Sequence, residues 1–371
     1  MKPRWLLAAV LFAATSAVVG VIWDISWHRT IGRDRFLTPA HIAIYLSGVV
    51  AGLACGWHVL RTTFGRDAEA RAASVPYWGF RGPLGAWLCI WGAIAMITSA
   101  PFDDWWHNAY GLDVKVLSPP HVLLALGFVA IEIGALVMAV AAQNRAGGER
   151  ERGYAWAAVY AGGILVANNA IMAFEQVAFP NSAHNALYYQ VSAGIFPLIL
   201  LATARAARLK WAATMAAATY MVVHLVMIWV LQLFPAQPML APIYNPVTTM
   251  VPPPFPLLLV IPALAVDLVR QRMEGRNAWL QAAVLGAVFL VVLFPVQWFF
   301  SEFLLSPAAR NGLFGADQWN YNSRLGPWRY EFWDVDASPI TAAALGLALV
   351  IAMASSRLGL AWGAWMARVR R

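Results

Sequence analysis

Ten stretches of mostly apolar residues, most of them near twenty residues long, dominate this sequence. They fall at about 5–28, 40–60, 83–106, 120–142, 154–175, 183–204, 211–234, 255–270, 277–301 and 338–356. A helix crossing the hydrocarbon core of a bilayer needs roughly 20 such residues. No water is present there, so backbone N–H and C=O groups must bond within the segment. The expected fold is all-α: a polytopic integral membrane helical bundle of about ten transmembrane helices. The eighth stretch is short and bounded by prolines, and carries the weakest signal. Only 12% of the residues are charged, against about 25% in soluble domains. The two cysteines, Cys55 and Cys89, lie in separate apolar runs and form no CxxC pair.

The first run resembles a signal peptide. Apolar sequence nevertheless continues to Trp23 and reaches an acidic residue, Asp24, so it reads as an uncleaved anchor. With the N-terminus in the cytoplasm and ten crossings, inside segments hold 19 of the 26 Lys and Arg residues and outside loops hold 7. That asymmetry is what membrane insertion imposes. It places both termini in the cytoplasm, pairs the helices into five hairpins and explains the net charge of +8 without nucleic acid. The expected location is the cell's inner (cytoplasmic) membrane. Two outer loops are long: the proline-rich 235–254 and the aromatic 302–337, with Trp319, Tyr321, Trp328, Tyr330 and Trp333. These aromatics are expected to rest on lipid headgroups, with a lid or docking surface as the alternative.

An internal repeat organises residues 1–143, and six further helices fill 144–371. The first copy carries Asp24, Trp27, His28, Gly32, Asp34, Thr38, Pro39 and His41; the second carries Asp103, Trp106, His107, Gly111, Asp113, Ser118, Pro119 and His121. Each copy spans the outer turn of a hairpin. Asp24 and His28 are four apart, on one helix face. Thr38 is a good N-cap and Pro39 a good first helical residue, which puts His41 at the mouth of the next helix. The hairpin thereby gathers Asp24, His28 and His41 at the outer boundary, and Asp103, His107 and His121 do the same.

A carboxylate at the outward, C-terminal end of a helix opposes the helix dipole, and ionisable groups at membrane depth are costly. A bound cation removes both objections. Two imidazoles and one carboxylate suit copper, zinc, iron or nickel better than magnesium or calcium. Asp34 and Asp113 are candidates to orient an imidazole from behind, a plain turn role being equally compatible. A partial third copy pairs Glu175 with His184, where a capped helix with a histidine at its mouth is the simpler reading. His58 and His224 stand alone in apolar helices and read as packing residues. Asp267 and Glu302, near helix ends, read as paired or snorkelling.

At these residues the sequence resembles the C subunit of the copper-dependent membrane monooxygenases, the particulate methane and ammonia monooxygenases. The stretch Asp24, Trp27, His28, Arg33, Asp34, then Phe36, Leu37, Thr38, Pro39, His41 and Ile42 is similar to that subunit's first copper motif. His107 and His121 match the spacing of its second copper site, where the family has an Asn in place of Asp103. The resemblance covers roughly residues 5–143. It implies copper as cofactor, a site facing the periplasm, and oxidation of a small apolar substrate by dioxygen. It also implies partners in the bilayer: other monooxygenase-type subunits, or a periplasmic electron or copper donor. Copper acquisition and handover is the non-enzymatic alternative. A zinc-dependent membrane hydrolase is another, and a bis-histidine haem protein the least favoured.

Overall fold

The computed structural model describes residues 4–33, 35–111, 118–173, 177, 183–323 and 340–371. Asp34, Asp113, Glu175, Trp328, Tyr330 and Trp333 lie outside the described residues. The helices are α1 (Arg4–Thr30), α2 (Pro39–Phe64), the short α3 (Ala68–Ala72), α4 (Leu84–Tyr110), α5 (Pro119–Arg145), α6 (Glu149–Met172), α7 (Ala186–Ala207), α8 (Ala212–Leu231), α9 (Val260–Arg272), α10 (Ala278–Leu305) and α11 (Ala342–Met366). Among the described residues, all but α3 and α9 are long and apolar enough to cross a membrane, nine in number. The architecture is that of a multi-pass helical membrane protein.

The expectation of an all-α chain needs one small correction. The loop after α3 folds into an antiparallel hairpin, β1 (Val75–Tyr77) and β2 (Phe80–Gly82), turning at Trp78 and Gly79. Both turn residues have positive φ, as the favoured two-residue hairpin turn requires.

The eighth apolar stretch departs furthest from a regular span. Its helix, α9, has 13 residues, about 20 Å of rise against a hydrocarbon core about 30 Å thick. Before it, residues 251–258 run without regular secondary structure and largely buried. Pro252, Pro253, Pro254 and Pro256 carry no N–H, which removes four donors that an irregular segment would otherwise leave unsatisfied. Side chains of three helices meet several of the remaining polar groups. Ser26 Oγ donates to the Val251 carbonyl at 2.6 Å, and Val251 N–H donates to Thr30 Oγ1 at 2.8 Å. Leu257 N–H donates to the Tyr220 hydroxyl at 2.9 Å and Leu258 N–H to Gln297 Oε1 at 3.2 Å. At the far end, Arg270 donates to the Leu209 and Lys210 carbonyls between α7 and α8. Tyr220→Phe strands the buried Leu257 N–H and is expected to cost about 1–3 kcal/mol. Denaturant unfolding in detergent measures it, and a neutral result would remove that hydrogen bond from the account.

Small residues bring helices into backbone contact. On α4, Gly85 and Gly92 face Gly134 and Gly127 of α5, so closely that a Cβ at Gly92 would sit 2.6 Å from the Gly127 carbonyl. A Cβ at Gly20 of α1 would sit 2.7 Å from the Ile44 side chain of α2. Non-sequential packing follows the same rule: Gly359 and Gly363 of α11 lie against Leu198 and Ala202 of α7. Such contacts are how membrane helices associate where lipid is as apolar as leucine. Fully buried between α5 and α6, Glu132 Oε2 accepts a 3.1 Å hydrogen bond from Asn168 Nδ2.

The described parts of the loops 235–254 and 302–337 pack against the bundle. Trp319 and Tyr321 are buried, Tyr321 against Val247 and Val251, which corrects the interfacial-belt reading for these two aromatics. Tyr321 N–H donates to the Arg29 carbonyl at 3.1 Å, and Met239 N–H to the Ile31 carbonyl at 2.9 Å. The Tyr321 carbonyl in turn accepts from Tyr244 and Asn245. Both loops thus supply backbone donors to the C-terminal carbonyls of α1, groups that a helix leaves without partners of its own.

Candidate metal centre

Each hairpin builds its site from local rules. Thr38 caps α2, its hydroxyl accepting from His41 N–H at 3.2 Å, and Pro39 opens the helix. Ser118 occupies the equivalent position before α5 but makes no side-chain capping bond; its buried hydroxyl has no hydrogen-bond partner among the described residues. At the other side of each turn the helix ends on a glycine with positive φ, +80° at Gly32 and +97° at Gly111, the conformation that only glycine adopts cheaply. Helix contact repeats in register as well. Four residues before Asp24, Gly20 abuts the Ala40 carbonyl; four residues before Asp103, Ser99 donates to the Pro120 carbonyl at 3.0 Å. In both copies the helices touch one turn below the carboxylate, beside the residue preceding the second histidine.

The expected trios do assemble. In the second hairpin, Asp103 Oδ2 lies 3.3 Å from His107 Nε2, and Oδ1 lies 3.4 Å from His121 Nε2. The three donor atoms all fall within 4.8 Å of one another. In the first hairpin, Asp24 Oδ1 is 3.2 Å from His41 Nε2 and Oδ2 is 3.8 Å from His28 Nε2. This trio is looser and does not meet the same 4.8 Å closure. His28 is its outlier, with a side chain 48% exposed.

Proton positions sharpen the picture. The Arg35 carbonyl lies 3.0 Å from His41 Nδ1, and the Gly111 carbonyl 3.2 Å from His107 Nδ1. A carbonyl only accepts, so Nδ1 holds the proton in each ring. In a neutral imidazole Nε2 is then a lone pair, and it lies 3.2 Å from Asp24 Oδ1 in His41 and 3.3 Å from Asp103 Oδ2 in His107. Two acceptors facing one another repel unless a positive charge lies between them. Among the described residues, Asp24 Oδ1 and Asp103 Oδ1 are buried and accept no hydrogen bond, so each trio contains an oxygen that a cation would match. A second ring proton is one remedy and a metal ion the other. A charge-assisted N–H···O bond spans about 2.7–2.9 Å, shorter than all four contacts. Donor atoms on a tetrahedral ion with bonds of about 2.0–2.1 Å stand about 3.3–3.4 Å apart. The second trio's two contacts have that length, one to each oxygen of the carboxylate. The donor set, two imidazoles and a carboxylate, fits copper or zinc.

The remaining titratable groups fall elsewhere. His184 Nε2 lies 3.7 Å from Glu302 Oε1, and its ring lies against Trp298. Trp298 Nε1 donates to the same Glu302 at 2.9 Å. Glu302 was legible as a paired residue, but its partners were not; the i, i+4 spacing of Trp298 and Glu302 was the available signal. His224 is buried against Tyr220, and Asp267 is held by Thr214 and Arg270, both as expected of packing and pairing roles. The Arg35 and Gly111 carbonyls, which orient the imidazoles, are backbone groups and leave no trace in residue type.

The glycine turns offer a paired test. A Cβ at Gly32 would overlap the Tyr321 hydroxyl, whereas none of the described residues lies within 4 Å of one at Gly111. Both positions oppose an L-residue through φ, at about 1–3 kcal/mol. Gly32→Ala is therefore expected to destabilise more than Gly111→Ala in thermal unfolding; equal losses would contradict docking of the loop that carries Tyr321 on the first turn.

No protein-family model, curated protein or solved structure matches this chain.

Proposed function

We propose that this chain is a copper-binding integral membrane protein related to the copper-dependent membrane monooxygenases. The observation that supports it is the twice-built trio, in each copy of which two imidazole Nε2 atoms lie within 3.8 Å of one carboxylate that keeps a buried oxygen without a hydrogen-bond donor among the described residues. Asp103, His107 and His121 hold one ion, and Asp24, His28 and His41 hold the other, with His28 closing inward as it binds. The Arg35 and Gly111 carbonyls keep Nδ1 protonated and so make Nε2 the coordinating atom. Copper bound there supplies redox chemistry with dioxygen. The protein oxidises a small apolar substrate reaching the site from the bilayer, with electrons from a partner subunit or a periplasmic donor.

The same reading fixes topology. Residues 251–258 and α9 together form a tenth crossing, part irregular backbone and part helix. Both ends of the chain then lie in the cytoplasm and both trios face the periplasm. Cys55 and Cys89 are buried, so introduced cysteines report cleanly. Asp317→Cys is expected to react with an impermeant maleimide from the periplasmic side, and Gly147→Cys only after the membrane is opened. The reverse pattern would overturn the orientation.

Elemental analysis with EPR on detergent-purified protein tests the metal assignment. Copper at up to two ions per chain, with nitrogen hyperfine structure, is the expected result. Zinc alone would shift the reading to a hydrolase, and no bound transition metal would end it. Turnover that consumes dioxygen separates an enzyme from a copper carrier.

A further inference from the structure

A cavity lies at the opposite end of the bundle from the trios. It measures about 880 Å³, within the range of about 300–1,000 Å³ typical of small-molecule sites. Twenty residues of α2, about 30 Å of helix, separate His41 near one face from Arg61 in this cavity. Five arginines line it, Arg61, Arg145, Arg150, Arg370 and Arg371, together with His58. Three carboxylates, Asp67, Glu69 and Glu149, share the wall. Asp67 is occupied with capping α3: its Oδ1 accepts from Ala70 N–H at 3.0 Å, which holds its carboxyl below the usual range.

The balance is cationic, and Arg61 meets Asp67, and Arg145 meets Glu69, only through longer-range attraction. The ion pairs of arginine with carboxylate among the described residues are Arg208–Glu151 and Arg270–Asp267, and neither joins a lining arginine to a lining acid. Arg145 Nη1 is committed to the Arg370 carbonyl. The side chains of Arg61 and Arg150 make no hydrogen bond or ion pair among the described residues. Guanidinium groups gathered along one concave wall repel one another, and an anion removes that cost. Their planar forks match phosphate oxygens two at a time. One side of the cavity is apolar, formed by Trp5, Leu6, Leu7 and Met138, so the lining is amphipathic.

We infer that this cavity binds a phosphate-bearing anion, seated on Arg61 and Arg150, either as the headgroup of an anionic phospholipid or as a free phosphoester. Basic pockets between membrane helices recognise lipid phosphates in this way. The inference stands apart from the metal assignment, because it uses no residue of either trio.

The test uses the full chain in a neutral detergent with three probes: dihexanoyl phosphatidylglycerol, dihexanoyl phosphatidylcholine and inorganic phosphate, each followed by calorimetry. Saturable binding of phosphatidylglycerol, at least tenfold tighter than phosphatidylcholine and weakened by salt, supports a lipid headgroup site. Saturable binding of inorganic phosphate that competes with phosphatidylglycerol supports a free phosphoester site. In either case Arg61→Gln with Arg150→Gln weakens binding at least tenfold. Should that variant misfold, Arg61→Lys keeps the charge, loses the fork, and is expected to weaken binding severalfold. Binding of no anionic probe, equal binding of both lipids, or affinity unchanged in folded variants would overturn the inference.

Discussion

Replacing either His107 or His121 with alanine is expected to lower bound metal by one ion per chain and to weaken that site at least about 100-fold. Losing a group that merely orients a ligand costs about 10–100-fold, and removing the ligand itself exceeds that. The two variants should behave alike, since both imidazoles approach the one carboxylate of Asp103 at nearly equal distances, 3.3 and 3.4 Å. Asp103→Asn separates the competing explanations for the contact. An amide donates through its N–H and satisfies an imidazole lone pair, so a structural hydrogen bond survives the change. A metal site with an anionic ligand loses affinity. The comparison is read by metal content alongside unfolding midpoint. Metal content insensitive to either histidine would mean that the second trio ties helix ends and nothing more.

The second large effect comes from a residue that touches no ligand. Gly92→Leu forces α4 away from α5 where their backbones meet at Gly127. Overpacking of this kind costs on the order of 1–3 kcal/mol. Asp103 and His107 ride on α4 and His121 on α5, so spreading the pair opens the trio. Metal at the second hairpin is expected to fall together with stability. The first hairpin, held at its own Gly20 contact, is expected to keep its ion. Ile97→Leu, on an exposed face of α4, serves as the neutral comparison. Full metal content in a folded Gly92→Leu protein would uncouple helix packing from the site.

Much of this architecture could be read before any coordinates. Hydrophobic run length located the nine long helices because a bilayer demands near-constant length. The Thr38-Pro39 pair put His41 at the third position of α2, because capping rules are local. The repeated spacing brought Asp103, His107 and His121 together, because an i, i+4 pair and a helix mouth across a short turn leave few other arrangements. The failures share a physical cause. In the eighth segment prolines let irregular backbone enter the bundle, and that depends on side-chain partners from Ser26, Thr30, Tyr220 and Gln297, all distant in sequence. Trp319 and Tyr321 read as headgroup aromatics because their composition is the same whether they meet lipid or another loop. Glu132 went unread although it is a buried carboxyl midway along α5, since a single acidic residue scarcely lowers the mean hydropathy of its segment.

Anomalous diffraction at the copper edge, from crystals of the purified protein supplied with copper, addresses the central claim most directly. The account predicts a peak about 2 Å from Asp103 Oδ1 or Oδ2, His107 Nε2 and His121 Nε2 together, with a second at Asp24, His28 and His41. Both trios resolved without a peak, their histidines bound to the carboxylates through protons alone, would contradict it.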